Sequence, residues 1–154
     1  MIDATQMLQN AGIVTTRQRV SLLEILFQST AHPDADGLLA SARKQMPALS
    51  ADTVYRTLNL FADAGIIQRM AVPTRRARFD KCVVPHDHFM CTRCEKILDI
   101  PRRKKSMGVI PAEVKACGEV RDTQMVYVGV CRQCAIKRDM DQREGHLYTQ
   151  HAYS

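Results

Sequence analysis

A nine-residue stretch, His86-Asp87-His88-Phe89-Met90-Cys91-Thr92-Arg93-Cys94, contains two kinds of metal-binding side chain. His86 and His88 are alternate residues, so both imidazoles point to one side if the stretch is an extended strand. Cys91 and Cys94 have the spacing of a C-x2-C knuckle, in which two thiolates bind one tetrahedral ion. The stretch therefore predicts metal binding by two different sets of donor atoms.

A second C-x2-C pair lies downstream, at Cys131 and Cys134. Four thiolates in two knuckles are typical of a closed structural site for Zn²⁺. The alternative is four unrelated buried or redox-active cysteines, but two knuckles in a strand-rich half do not resemble a single thioredoxin-type dithiol. The remaining thiols, Cys82 and Cys117, have no partner at this spacing. We expect both to be small buried hydrophobic residues, with redox reactivity as the alternative.

The two imidazoles are left for a separate site with harder donor atoms. Asp80 upstream and Asp99 downstream are the nearby candidates. Imidazoles combined with carboxylates suit Fe²⁺ or Mn²⁺, whereas thiolates favour Zn²⁺. The alternative for His86 and His88 is a pair of surface or hydrogen-bonded imidazoles that bind no metal.

Length and composition limit the class of protein. A chain of 154 residues fits one domain or two small ones, and 45% hydrophobic residues are enough for modest cores. The sequence has no apolar run near 18 residues and no signal-peptide pattern at its start, so we expect a cytoplasmic protein without a membrane partner. In that compartment six cysteines indicate metal ligands before disulfides. The net charge of +6 favours an anionic partner such as nucleic acid, but the excess is not concentrated in the N-terminal half.

The first 80 residues show helical periodicity followed by two short strands. Helices followed by a small hairpin are typical of a winged helix-turn-helix. The first two expected helices cover residues 4–10 and a segment through Phe27 that begins at a capping box of Thr15 and Gln18. The next two cover a segment from Pro33 to Pro47 and residues 51–64, with Ser50 as N-cap. The expected strands cover residues 66–70 and 77–80, around a turn at 72–76.

The helix over residues 51–64 has a polar face that includes Tyr55 and Arg56. If this helix enters a major groove, both side chains can reach base edges, while Arg75 and Arg76 at the hairpin tip contact backbone phosphate. Arg19, on an earlier helix, is a further candidate for DNA contact. The alternative is an ordinary solvated surface, which most helices have.

Beyond residue 80 the pattern changes. We interpret residues 81–85 as a hinge, and we expect the fold class α+β, with a winged-helix DNA-binding domain over 1–80 and a small α/β domain over 86–154. Its expected elements are strands over 88–91, 97–100 and 120–130, and helices over 111–116 and 135–142. The basic run 102–105 predicts a solvated loop, with phosphate contact as the alternative, and residues 145–154 predict a loose tail.

Five motifs resemble the ferric uptake regulator (Fur) family in order and spacing, from about residue 5 to Cys134. The resemblance implies a metal-dependent, homodimeric, DNA-binding repressor with an N-terminal winged helix and a C-terminal α/β dimerisation domain. The motifs are His32-Pro33-Asp34-Ala35-Asp36, Thr53-Val54-Tyr55-Arg56-Thr57-Leu58, Arg78-Phe79-Asp80, the H-x-H run and the two C-x2-C pairs.

The resemblance also implies a regulatory Fe²⁺ or Mn²⁺ site. Aspartate at both of its acidic positions is similar to the peroxide-sensing branch, since iron-sensing members typically have glutamate there. Pro85 and Thr123 stand where iron-sensing members often have histidines of a further site. In the peroxide-sensing branch histidine ligands are oxidised, which here implies His32 and His86. The implied regulatory ligands are His32, Asp80, His86, His88 and Asp99.

We therefore expect a repressor that binds a palindromic operator in double-stranded DNA and senses hydrogen peroxide through iron-catalysed oxidation of its histidine ligands. The alternative within the family is a regulator of iron or other metal uptake, and Arg56, where some peroxide sensors have another residue, leaves the operator preference open. The alternative from another class is a small metalloenzyme that uses the His/Asp site. The sequence has no obvious general base or substrate-binding motif, so we do not expect an enzyme.

Overall fold

The structure, a computed structural model, describes residues 2–73, 76–102, 110–120 and 123–137. The chain divides into two compact units, Met1–Pro85 and His86–Ser154. Among the described residues, no helix has the length and apolar character needed to cross a membrane.

The first unit consists of four helices followed by a hairpin. In the hairpin, strands β1 and β2 pair antiparallel with Arg69 opposite Phe79. This order is that of a winged helix-turn-helix and confirms the predicted fold class. The elements are α1 (Ala4–Asn10), α2 (Arg17–Gln28), α3 (Ala35–Ala42), α4 (Ala51–Asp63), β1 (Gln68–Met70) and β2 (Arg78–Asp80).

One hydrophobic core holds the helices and the hairpin of this unit together. In α4 the buried residues Val54, Leu58 and Phe61 recur at helical spacing. They pack in the same cluster as leucines of α2 and as Phe79 of the hairpin, which is fully buried. Because α4 buries this stripe, its opposite face, with Tyr55 and Arg56, is left exposed.

The helix ends follow local capping chemistry, with two corrections to the sequence prediction. The Ser50 side chain accepts a hydrogen bond from the Thr53 N–H at 3.1 Å, so α4 begins where predicted. In α2 the cap is Thr16, which accepts from the Arg19 N–H, and the predicted capping box of Thr15 and Gln18 is wrong. In α3 the helix ends at Ala42, before Pro47, because the chain turns there and the N–H groups of residues 45 and 46 both return to the Ala42 carbonyl.

The second unit has a three-stranded sheet with β3 at its centre. The strand order is β4-β3-β5, with β4 antiparallel and β5 parallel to β3. Residues 132–137 are helical, and residues 138–142 of the predicted last helix lie outside the described residues, as does the tail. The elements are β3 (Asp87–Cys91), β4 (Ile97–Ile100), α5 (Ala112–Cys117) and β5 (Val126–Gly129).

Of the strand predicted over residues 120–130, the structure has β5 over Val126–Gly129, and residues 121 and 122 lie outside the described residues. The strand that pairs with β5 explains this length. Within the described part of the chain β5 pairs with β3 alone, at the positions from His88 to Cys91. Alternating valines extend the sequence pattern beyond these positions, but a strand needs a partner for its backbone groups.

The cap of α4 gives a prediction for stability. Replacing Ser50 by alanine removes the bond to the Thr53 N–H and should lower the free energy of unfolding by about 1 kcal/mol. Ser41→Ala is a matched control, because exposed Ser41 donates only to the Gly37 carbonyl within its own helix. Urea denaturation followed by circular dichroism measures both, and equal midpoints for the two variants would contradict the capping role.

Candidate functional site

The four cysteines of the two C-x2-C pairs lie together in the second unit. The sulfurs of Cys91, Cys94, Cys131 and Cys134 all lie within 4.8 Å of one another. Those of Cys94 and Cys131 are 3.9 Å apart. Four sulfurs at about 2.3 Å from one zinc ion lie roughly 3.8 Å from each other, so the cluster fits a tetrahedral ion.

The sheet brings the two knuckles together. Cys91 ends β3, and the turn after it closes with the Glu95 N–H donating to the Cys91 carbonyl at 2.9 Å. Glu95 has a φ of 55°, a left-handed conformation that the tight turn imposes on this residue. The parallel register sets Gly129 of β5 beside Cys91, so the second pair begins two residues beyond that contact.

Hydrogen bonds within the cluster change the acidity of its thiols. The Cys131 N–H donates to the Cys91 sulfur at 3.3 Å, and mainly for this reason the pKa of Cys91 is lowered to about 6. Hydrogen bonding with neighbouring thiols, Cys131 first, raises the pKa of Cys134 to about 12. Four sulfurs this close become thiolates together only around a cation, which is the chemistry that Zn²⁺ supplies.

The other two cysteines do not join this cluster. Cys82 is half-buried, and Cys117 is exposed, so the prediction that Cys117 is a buried hydrophobic residue is wrong. The reason is that α5 has no buried residue, and the Cys117 thiol donates only locally, to the Glu113 carbonyl at 3.2 Å.

A second donor set in this unit combines two imidazoles and a carboxylate. The rings of His86 and His88 have centroids 4.4 Å apart. The Asp99 Oδ1 lies 3.6 Å from the His86 Nε2 and 3.9 Å from the His88 Nε2. Cross-strand pairing sets this geometry, because His88 on β3 is directly opposite Asp99 on β4. His88 is buried and Asp99 is half-exposed, so the carboxylate is the accessible side of the set.

The first unit has its own pair of donors, His32 and Asp80. The His32 Nε2 lies 3.7 Å from the Asp80 Oδ1, and both side chains are at least nine-tenths buried. The carboxylate is held in place by two hydrogen bonds, from the Cys82 N–H at 2.8 Å and from the Gln68 amide at 3.3 Å. In addition, the Phe79 N–H donates to the Pro33 carbonyl at 3.1 Å and ties β2 to the segment that carries His32.

These separations fit metal ligands. Distances of 3.6 to 3.9 Å between nitrogen and oxygen are longer than hydrogen bonds. Two ligand atoms that each lie about 2.1 Å from the same ion are roughly 3–4 Å apart. Imidazole and carboxylate donors in these sets suit Fe²⁺ or Mn²⁺.

The proposed base-reading residues lie on the exposed face of α4. Tyr55 is 49% exposed and the Arg56 side chain 79%. The Arg56 Nε lies 3.0 Å from a carboxylate oxygen of Asp52, one helical turn before it. Arg56 and Arg19 line the same cleft of about 300 Å³. The Arg19 guanidinium also donates to the Val14 carbonyl at 2.6 Å.

Arg76 follows the hairpin turn and is engaged within the unit. Its guanidinium lies 2.5 Å from Asp36 and 3.6 Å from Asp34, at the start of α3. Arg76 and Tyr55 line one cleft of about 310 Å³. Arg75 lies outside the described residues. Aspartates therefore partly neutralise both Arg56 and Arg76, which the sequence pattern did not indicate.

Two basic residues have roles that the sequence pattern did not indicate. Lys81 donates to the carbonyls of Phe27 and Ser29, at 2.9 and 2.6 Å, and so caps the end of α2. Arg102 was predicted to lie in a solvated loop, but its side chain is only 11% exposed and forms an ion pair with Asp87. This part of the prediction is wrong because a buried carboxylate needs a cationic partner; residues 103–105 lie outside the described part of the chain.

A winged helix, a four-thiol cluster and imidazole–carboxylate donor sets define a metal-dependent DNA-binding protein. Residues 10–125 match the sequence model of the Ferric uptake regulator family, and the chain belongs to that family. Members of this family are transcriptional regulators, not enzymes, and they bind DNA as dimers. The predicted family is confirmed.

Several known proteins are similar over most of the chain. The "Peroxide-responsive repressor PerR" of Staphylococcus aureus (strain Mu50) is 32% identical over 130 residues, which are 84% of this chain and 88% of that protein. The "Peroxide operon regulator" of Bacillus subtilis (strain 168) is 30% identical over 141 residues, 89% and 94% of the two chains. The crystal structure of the Vibrio cholerae ferric uptake regulator has a TM-score of 0.66 at 27% identity, covering 84% of this chain and 100% of that one.

Proposed function

We propose that this protein is a metal-dependent repressor that releases DNA in response to hydrogen peroxide. The observation that carries the proposal is a donor set of imidazoles with aspartate at both acidic positions, Asp80 and Asp99, in a chain whose relatives are peroxide regulators. The alternative within the family, a regulator of metal uptake, predicts the same metal dependence but no response to peroxide.

The four-thiol cluster is the proposed structural Zn²⁺ site. It joins the end of β3 to the segment after β5, and buried Cys91 and Cys131 are its inner ligands. Since the second unit has only a small sheet, we infer that the ion stabilises the fold of this unit.

We propose that His32 and Asp80 of the first unit and His86, His88 and Asp99 of the second bind one regulatory Fe²⁺ or Mn²⁺. The two donors of the first unit, or the three of the second, would fill only part of the coordination shell of a six-coordinate ion. All five together would leave one coordination position open. Residues 81–85 would be the hinge between the two groups of ligands. An ion bound by both groups would restrict that hinge.

DNA affinity would follow from this restriction. In a dimer two copies of α4 must reach half-sites that lie roughly 34–36 Å apart in successive major grooves of a palindromic operator. A mobile hinge reduces the fraction of molecules that can contact both half-sites, and metal binding removes that cost. Tyr55 and Arg56 are the proposed contacts to bases, and Arg19, Arg75 and Arg76 the proposed contacts to phosphate.

The proposed dimer contact is the β5 edge of the sheet in the second unit, which has no further strand beside it among the described residues. β5 is an edge strand, and its Tyr127 and Val128 are both about half-exposed. Exposed apolar side chains on an edge strand favour pairing with another chain. The proposed dimer surface belongs to the second unit, whereas α4 belongs to the first.

The peroxide response would be a change in the ligands themselves. Fe²⁺ held by these residues would catalyse the reduction of hydrogen peroxide at its ligands. We propose that one hydrogen peroxide molecule oxidises the ring of His32 or His86: one peroxide oxygen is inserted at a ring C–H bond, the other leaves as water, and the modified imidazole is a weaker ligand. Loss of either ligand would separate the two donor groups, free the hinge and release DNA.

The zinc proposal predicts a loss of metal and of structure. Cys131→Ser should remove about one zinc ion per chain and destabilise the second unit, because structural zinc contributes ~10–16 kcal/mol of apparent binding free energy in finger peptides. Elemental analysis and size-exclusion chromatography measure the two effects. Cys117→Ser is the matched control, since this exposed thiol lies outside the cluster. Full zinc content and an intact dimer in the Cys131 variant would contradict the proposal.

The DNA proposal separates two kinds of arginine. Arg56→Ala should reduce discrimination between a selected duplex and a scrambled one by roughly 1–3 kcal/mol, because an arginine reads a guanine edge. Arg76→Ala should weaken binding to both duplexes and reduce the salt slope by about 1, because it removes a phosphate contact. Fluorescence anisotropy over a range of salt concentrations measures both.

Asp36→Asn provides the opposite control for Arg76. It removes one negative charge beside the Arg76 guanidinium without changing the arginine, so both duplexes should bind more tightly at low salt.

If Arg56→Ala binds the selected and scrambled duplexes as the parent does, the proposed docking of α4 is wrong.

The sensing proposal predicts which residues are modified. After a brief peroxide pulse, peptide mass spectrometry of the iron-loaded protein should show one added oxygen on the His32 or His86 peptide, together with release of DNA. The manganese-loaded protein should bind DNA but show no modification, because Mn²⁺ does not readily reduce peroxide.

Two further results test the same mechanism. Asp99→Glu should keep metal-dependent DNA binding but respond less to peroxide, because the resemblance links aspartate at this position to peroxide sensitivity. If DNA is released while the histidines stay unmodified and Cys91 or Cys134 is oxidised, the sensor is the zinc site and the histidine mechanism is wrong.

A further inference from the structure

Asp87 stands between the two imidazoles of the His86-Asp87-His88 run, but its side chain is engaged elsewhere. Its Oδ1 accepts from the Arg102 Nη2 at 2.8 Å and from the Arg102 Nε at 3.0 Å. The Asp87 and Arg102 side chains are only 7% and 11% exposed. A buried, doubly hydrogen-bonded ion pair has a defined geometry, unlike most ion pairs on a protein surface.

The same guanidinium reaches a third segment of the sheet. The Arg102 Nη2 also donates to the Thr123 carbonyl at 2.6 Å, and the Nη1 lies 3.4 Å from the Thr123 hydroxyl. Arg102 follows the end of β4 by two residues, and Thr123 precedes β5 by three. One side chain therefore connects the start of β3, the end of β4 and the approach to β5.

This connection lies where backbone pairing stops. Asp87 is the first residue of β3 and pairs with Ile100, the last residue of β4. His86 precedes the strand, so the ladder between β3 and β4 does not include it. The ion pair between Arg102 and Asp87 therefore restrains the residue next to His86. Asp99, the carboxylate of the donor set, lies three residues before Arg102 on the same strand end.

We propose that Arg102 is a positioning residue for the regulatory metal ligands His86, His88 and Asp99. By binding Asp87 it holds the start of β3 against the end of β4, and so fixes the distances between the two imidazoles and the carboxylate. It also neutralises Asp87, which keeps that carboxylate on the opposite side of the strand and out of the ligand set. This inference rests on the proposed regulatory site.

The direction in which the affinity for a divalent ion changes when Arg102 is removed distinguishes positioning from simple electrostatics. Removing a positive charge and exposing a carboxylate near a cation site should, by Coulomb's law alone, tighten binding of a divalent ion. Loss of positioning should weaken it. Groups that orient metal ligands typically change affinity by 10- to 100-fold, so Arg102→Ala should raise the dissociation constant for Mn²⁺ by about tenfold or more.

The experiment measures Mn²⁺ binding to the zinc-loaded, full-length protein by electron paramagnetic resonance of the free ion. Asp87→Asn and the double variant should weaken binding about as much as Arg102→Ala, because removing both partners of one interaction is not additive. Lys115→Ala controls for loss of an exposed positive charge in the same unit and should bind Mn²⁺ as the parent does. Hydrogen exchange of the metal-free protein should be faster at residues 86–88 in the Arg102 variant.

Unchanged or tighter Mn²⁺ binding by Arg102→Ala, with zinc retained, would overturn the proposal. If that variant loses zinc or unfolds, Arg102→Lys keeps the charge but loses the paired donors, and it should bind Mn²⁺ with intermediate affinity; parent-like affinity would again overturn it. His88→Ala separates this inference from the proposed function. If His88→Ala binds Mn²⁺ as tightly as the parent, the proposed regulatory site itself is wrong. If His88→Ala loses Mn²⁺ binding while Arg102→Ala binds Mn²⁺ like the parent, only the proposed role of Arg102 is wrong.

Discussion

The strict alternation of side chains along β3 is the constraint on which both metal-binding regions of the second unit depend. Even-numbered positions direct His86 and His88 to one side, while odd-numbered positions direct Asp87 and Cys91 to the other. The nitrogen donors and the sulfur donors are therefore separated by a single strand although they are adjacent in sequence. A slip of one residue in the pairing of β3 would move each set to the wrong side.

The sequence allowed prediction of features that local chemistry determines. Ser50 and Gly65 bound α4 because one supplies a capping oxygen and the other adopts a φ of 71°. The H-x-H and C-x2-C spacings likewise set donor geometry within a few residues. These patterns predicted the winged helix and the four-thiol cluster without knowledge of the tertiary structure, whereas Asp99 was predicted as a nearby carboxylate and its place opposite His88 is seen only in the sheet.

Features that depend on a distant partner were missed. The alternating valines around β5 indicate a strand, but its length is set by the four residues of β3, His88 to Cys91, that pair with it. Arg102 belongs to a basic run whose composition predicts a solvated loop. Its side chain is nevertheless buried in an ion pair with Asp87, which lies 15 residues earlier in the chain. Thr15 and Thr16 offer the same capping oxygen, and the local pattern does not distinguish them, whereas the structure uses Thr16. In each case the structure depends on features that the local sequence pattern does not specify.

The two aspartates of the sheet, Asp87 and Asp99, illustrate how a fold can separate permanent from reversible charge neutralisation. Arg102 is covalently part of the chain, so the cationic partner of Asp87 cannot dissociate from the protein. Asp99 is half-exposed beside two imidazoles that are neutral when they act as ligands, so its natural counter-charge is an ion that can leave. A sensor needs one such exchangeable cation next to a framework that does not change when the ion dissociates. With Asp87 already paired to Arg102, loss of the proposed regulatory ion would change the charge balance on one side of β3 only, so the ion pair that supports the sheet would remain.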